Sequence, residues 1–193
     1  MVGELLPDMR DREAQAAEIV ALATELGVRI AVAESLTGGM LAAAIVSAPG
    51  ASAVFTGGVV AYDSALKASI LGVDRAVLGE RGPVDGEVAR QMAAGVRHTC
   101  AVESADGSRR IADLGIATTG VAGPASDAQS GQPAGTVWIG VSSAAGERSV
   151  LLPVLAGNRQ AIREQTVDAA LGLVVEALLA QKPAATQRFP GET

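Results

Sequence analysis

From residue 35 to residue 62 the chain carries no charged side chain, and this stretch limits what it can become. It is cut by Thr37-Gly38-Gly39, Pro49-Gly50 and Gly57-Gly58. No uninterrupted piece therefore reaches the roughly 20 apolar residues that a membrane-spanning helix needs. Short apolar segments between breakers instead suit the inner elements of an α/β domain, covered on both faces. Hydrophobic residues make up 49% of the 193, too apolar for a disordered chain and enough for a core. Only Phe55, Tyr62, Trp138 and Phe189 are aromatic, and 21 acidic residues outweigh 15 basic ones for a net charge of −6. Without stacking platforms or a basic groove, nucleic acid is not an expected partner. A lone Cys100 and a lone His98 argue against an internal disulfide, a metal cluster and a Ser–His–Asp triad. No metal and no cofactor is expected. The N-terminal MVGELLPDMRDRE is mixed in charge and has no apolar run, so it is not read as a signal peptide. The expectation is a soluble, cytoplasmic domain with no membrane partner.

Along the chain, Ile19, Leu22, Ala23 and Leu26 mark an amphipathic helix over 11–26, ended by Gly27. Residues 28–33 read as a strand, 40–48 as a helix stopped by Pro49-Gly50, and 55–62 as a second strand. Asp63 or Ser64 can cap a helix running to Leu71, and Asp85 a longer one through Cys100. Residues 103–110 read as a polar loop and 114–118 as a third strand. The Gly/Ser/Gln/Pro stretch up to Gly135 reads as a mobile lid or a partly disordered loop. Residues 136–142 and 148–155 suit an antiparallel pair, with Trp138 packing in the core. Asn158 caps a final helix over 159–181, and Pro183 opens a tail expected to be disordered to residue 193. The economical architecture is a single domain over residues 1–182. It is a three-layer α/β/α sandwich whose mixed five-stranded sheet has one antiparallel strand.

Three polar turns each follow a predicted strand, 35–39, 62–64 and 118–124, and the first and last are Gly-rich. Ligand sites of open α/β sheets lie at the carboxyl ends of strands, so these turns can share one crevice. Ser35 sits at a strand-to-helix turn, where it serves either as a nucleophile or as a helix cap. A serine nucleophile needs a base, and His98, mid-helix, is poorly placed for that. Lys67 is the only lysine before Lys182, in a chain that otherwise uses arginine. The choice matters because a desolvated lysine can lose its proton and an arginine cannot. Tyr62 ends a strand and can relay a proton or hold that lysine. A rival lies in Ser64-Ala65-Leu66-Lys67, which matches the S-x-x-K pattern of penicillin-recognising enzymes. Neither S-D-N nor K-T-G accompanies it, and Ser64 is read as a cap. Arg159 opens the last helix, where a cation opposes the helix dipole, so the position suits either an anionic ligand or an exposed side chain that pairs with Glu164 or solvent.

The segments AESLTGG (33–39), FTGGVVAYDSALKASILGV (55–73), TTGVAGP (118–124), PAGTVWIGV (133–141) and GNRQAIREQTV (157–167) resemble the CinA C-terminal domain family, the nicotinamide-nucleotide amidases. The resemblance runs in order over about residues 12–180 and implies the stand-alone form of that domain. It implies hydrolysis of the carboxamide of nicotinamide mononucleotide to nicotinate mononucleotide and ammonia. It also implies catalytic roles for Ser35, Tyr62 and Lys67, with the Thr119–Pro124 loop and Arg159 on the substrate. The mechanism expected is acyl transfer in which neutral Lys67, with Tyr62, takes the Ser35 proton. Backbone N–H groups near Thr37, Gly38 and Gly39 would hold the oxyanion, and Arg159 with Thr119, Gly120 and Gly123 would contact the phosphate and ribose. The chain departs from the family pattern at Leu36, Asp63, Asn158 and the 125–135 loop. A catalytically weak nucleotide- or partner-binding module is the alternative those departures leave open. The partner expected is a pyridine nucleotide, and a homo-oligomer, dimer or higher, is expected from the apolar, weakly charged surface.

Overall fold

The structure, a computed structural model, describes residues 12–182 apart from Ser104; the tail expected over 183–193 lies outside the described residues. Helix α1 (Arg12–Leu26) leads into β1 (Ile30–Glu34), α2 (Met40–Val46) and β2 (Phe55–Val60). Helices α3 (Ser64–Ser69), α4 (Arg75–Arg81) and α5 (Gly86–Thr99) follow, then a small hairpin of β3 (Val102–Glu103) and β4 (Arg109–Arg110). Strands β5 (Leu114–Gly120), β6 (Val137–Ser143) and β7 (Gly146–Leu151) and helix α6 (Arg159–Leu179) complete the chain. The main sheet has five strands in the order β2-β1-β5-β6-β7. The first three run parallel, and β6 is antiparallel to both of its neighbours. The expected mixed sheet is therefore present.

Strand alternation sorts the core into two unequal layers. Ile30, Val32, Leu114, Ile116, Val137 and Ile139 face α1, α2 and α6 in the larger cluster. Ala31, Ala33 and Ala117 face the opposite side, where Val88, Met92, Ala93 and Val96 of α5 pack. Small residues let α5 lie close to the sheet. A Cβ on Gly115 would fall 2.1 Å from the Ala93 carbonyl oxygen, and one on Gly140 would fall 2.0 Å from that of Ala89. The low aromatic content follows from this close layering, which leaves little room for a large ring. Trp138, expected in the core, is only half-buried, with its ring against Gly86.

The predicted caps sit where expected at three helices. Asp63, Asp85 and Asn158 accept from the amides of Ala65, Glu87 and Ala161. Ser64 is not a cap; it is the first residue of α3. Other expectations need correction. Helix α4, capped by Asp74, was not legible because none of its residues is buried and no apolar stripe marks it. The supposed loop at 103–110 carries the β3–β4 hairpin. The supposed lid is a hydrogen-bonded turn. Asp127 accepts from the amide and hydroxyl of Ser130, and the Gln129 side chain donates to the Leu78 carbonyl of α4.

Strand order places the site. The chain leaves β1 through α2 to reach β2 on one side, and leaves β2 through α3–α5 to reach β5 on the other. The carboxyl end of β1 is thus the topological switch point, where adjacent loops diverge and open a crevice.

Candidate active site

A cleft of about 280 Å³ opens at this point, lined by residues from the turns after β1, β2 and β5. Ser35, Tyr62, Lys67, Thr119, Gly120, Gly123 and Arg159 all line it, so the structure gathers most of the residues singled out from the sequence. Thr37, Gly38 and Gly39 do not line it. Leu36 and Ser64, from turns expected to share the crevice, do, and so do Pro83, Val84 and Asp127, which no sequence motif assigned to a ligand site.

The turn at 35–39 is built around Glu34, the last residue of β1 and 1% exposed. Its carboxylate accepts the amides of Gly39 and Leu41 on Oε2, at 3.0 Å each, and that of Ala42 on Oε1 at 2.9 Å. These are the donors a helix N-terminus would otherwise leave unpaired, so Glu34 does the work the sequence reading offered to Ser35. The Ser35 amide donates to the Thr118 carbonyl at 3.0 Å, fixing the backbone beside β5. Its hydroxyl, half-buried, has no hydrogen-bond partner among the described residues and lines the cleft. Arg163 of α6 braces the same turn, donating through Nε to the Leu36 carbonyl and through its terminal nitrogen to that of Thr37, both at 2.9 Å. The hydroxyls of Thr37 and Thr118 pair at 2.8 Å beneath it.

This geometry removes two of the three expected oxyanion donors. The third, the Thr37 amide, makes no hydrogen bond among the described residues but belongs to a residue that does not line the cleft. The Gly38 amide is spent on the Ser35 carbonyl and the Gly39 amide on Glu34. Both glycines hold positive φ, +59° and +97°, which is why glycine stands at each. The amides of Leu36, Ala122 and Gly123 make no hydrogen bond among the described residues, and all three residues line the cleft.

Lys67 is wholly buried, the largest side chain so enclosed. Its Nζ donates to the Ala61 carbonyl at 3.1 Å. Burial lowers its pKa from 10.5 to about 8, against the smaller upward pull of Asp63, whose carboxylate is engaged in capping α3. Desolvation therefore outweighs the neighbouring charge. Tyr62 lies at the mouth, 59% exposed, and its hydroxyl accepts from Arg159 at 2.6 Å. Arg159 also donates to the Gly123 carbonyl at 2.9 Å. The Thr119 hydroxyl donates to the Pro83 carbonyl at 2.6 Å. His98 is exposed on α5 and does not line the cleft. Among the described residues no cluster of His, Cys, Asp or Glu could hold a metal ion, and no helix is long and apolar enough to cross a membrane.

Two of the missed residues left some signal in the sequence. Glu34 is an acid directly before a Gly-rich helix start, and Arg163 lies one helical turn beyond Arg159. Asp127 left none, since its place on the cleft depends on how the 125–131 turn docks onto α4.

The fold and site define an α/β domain with a crevice at the switch point of its sheet, holding a serine hydroxyl without a partner among the described residues and a buried lysine with a lowered pKa. The CinA C-terminal domain model matches residues 12–178, and the chain belongs to that family. It is 45% identical over 158 residues to a CinA-like protein of Frankia casuarinae, covering 81% of this chain and 33% of that one. The chain thus spans about a third of the length of the curated relatives it matches. Among solved structures, the competence/damage inducible protein CihA of Agrobacterium tumefaciens superposes with a TM-score of 0.76 at 32% identity, covering 92% of this chain and 99% of that one. The competence damage-inducible protein A of Klebsiella pneumoniae gives 0.79 at 28% identity, covering 90% and 100%.

Proposed function

We propose that the domain is an amidohydrolase that converts nicotinamide mononucleotide to nicotinate mononucleotide and ammonia. The observation that carries this reading is a Ser35 hydroxyl without a partner among the described residues, in the same cleft as a buried Lys67 whose pKa burial lowers to about 8. In its neutral form Lys67 takes the Ser35 proton, directly or through Tyr62, as Oγ adds to the amide carbon. The amides of Leu36, Ala122 and Gly123 donate to the oxyanion. A donor on the residue after the nucleophile plus donors from a second loop is an arrangement that recurs in serine hydrolases. Collapse of the tetrahedral intermediate passes the proton from Lys67 to the departing nitrogen, and ammonia leaves. Water then gives a proton to Lys67 while its oxygen attacks the acyl-serine. Breakdown of this second intermediate returns the proton to Oγ and releases the carboxylic acid, which then loses its proton to solvent. Arg159 supplies the cation for the 5′-phosphate at the mouth.

Ammonia release measured with the mononucleotide, the riboside and free nicotinamide tests the reading. The mononucleotide should be preferred, and Ser35→Ala should abolish turnover. Ser64 also lines the cleft, three residues before Lys67, so the S-x-x-K reading retains a structural basis. Intact-mass and peptide analysis after trapping with an acylating inhibitor separates the two; acylation of Ser64 would overturn the assignment to Ser35. Tight binding of the mononucleotide without ammonia release would leave a binding module.

A further inference from the structure

Arg159 is tied to neutral groups only. Its terminal nitrogens donate to the Tyr62 hydroxyl and the Gly123 carbonyl, and no carboxylate pairs with it among the described residues. It joins three segments at the mouth: the first turn of α6, the loop after β2 and the loop after β5. The guanidinium is exposed, so an incoming anion reaches it without rearrangement of the core.

We propose that Arg159 is a positioning residue that couples phosphate binding to release of Tyr62. In the ligand-free protein the phenol oxygen accepts from Arg159 and makes no hydrogen bond to Lys67 or Ser35. A phosphomonoester dianion offers charged acceptors in the bidentate geometry that a guanidinium prefers, and such bonds are roughly twice as strong as those to neutral acceptors. The dianion therefore draws Arg159 off Tyr62, and the freed phenol turns to the Ser35–Lys67 pair. Substrates without the phosphate leave Tyr62 engaged. Discrimination between nucleotide and riboside then appears in kcat as well as in KM, because the remote phosphate contributes to assembly of the catalytic groups. This inference rests on the proposed amidase reading for its kinetic consequence but not for its structural one.

Tyr62 is the only tyrosine in the chain, so 13Cζ-tyrosine labelling gives a single reporter resonance. Titration of the intact protein with inorganic phosphate should move that resonance, and Arg159→Gln should remove the response. In parallel, inorganic phosphate should raise kcat for the riboside by at least roughly tenfold, about 1.4 kcal/mol and within the range of one charge-assisted hydrogen bond. The same addition should leave riboside turnover by Arg159→Gln unchanged. A resonance that stays still up to the solubility limit of phosphate overturns the coupling, as does activation that persists without Arg159. The two proposals fail separately. A phosphate-dependent shift with no amide hydrolysis sinks the enzyme assignment alone, and hydrolysis with an unmoved resonance sinks the coupling alone.

Discussion

The Lys67 side chain is buried and makes a single hydrogen bond among the described residues, to a neutral carbonyl, so its charge is a burden on the fold. A pKa of about 8 in the folded protein, against 10.5 for an unperturbed lysine, measures that burden. At about 1.4 kcal/mol per pH unit, protonated Lys67 costs the native state roughly 3 kcal/mol at pH 7. Between pH 8 and 10.5 the unfolded lysine still binds a proton that the folded one has lost. Native stability therefore rises with pH through that window and gains nothing from it below. Lys67→Met keeps an unbranched side chain of similar length and removes the charge. It also leaves the Ala61 carbonyl without its donor, a loss of about 1 kcal/mol. The variant should then be about 2 kcal/mol more stable than the parent at pH 7 and about 1 kcal/mol less stable near pH 10.5. It should have no amidase activity. Urea unfolding of both proteins across this range gives the difference directly, and titrations common to both cancel in it. Parallel stability profiles, with no change of sign or slope between pH 8 and 10.5, would refute the claim that Lys67 is desolvated.

Lys67→Arg should lose most of the single-turnover acylation rate while keeping the charge, since arginine does not release its proton at accessible pH; near-native acylation would show that another group is the base. The parent rate should rise with pH through about 8. In Asp63→Asn that midpoint should move downward, because the carboxylate pulls the lysine pKa up, while an asparagine cap holds α3 and the unfolding midpoint stays put. Glu34→Ala removes the acceptor of three amides and should destabilise the fold by roughly 3–5 kcal/mol, read by urea unfolding. A loss below about 1 kcal/mol would mean that water replaces the carboxylate at the start of α2.

Much of the architecture was legible along the chain. The apolar stripe of α5 and the caps at Asp63, Asp85 and Asn158 depend on residues within a helical turn of one another, and such local patterns survive in a bare sequence. The polar turns after β1, β2 and β5 were visible for the same reason, and with them Ser35, Tyr62 and Lys67 as residue types suited to acyl transfer. Tertiary structure decided what those residues are free to do. Glu34 and Ser35 are adjacent, and either could have served the start of α2. The choice followed from β1 extending one residue further than read, which buries the carboxylate under α2 and leaves the hydroxyl in the cleft. Lys67 is buried only because α3, too short to bury a face of its own accord, is held down beside Ala61 and the α5 layer. Tyr62 and Arg159 lie 97 residues apart and meet because the strand order brings the loops after β2 and β5 to the head of α6. Sequence pattern reports contacts a few residues apart, whereas desolvation and charge pairing depend on neighbours from distant segments, so residue types could be read early and their protonation and partners could not.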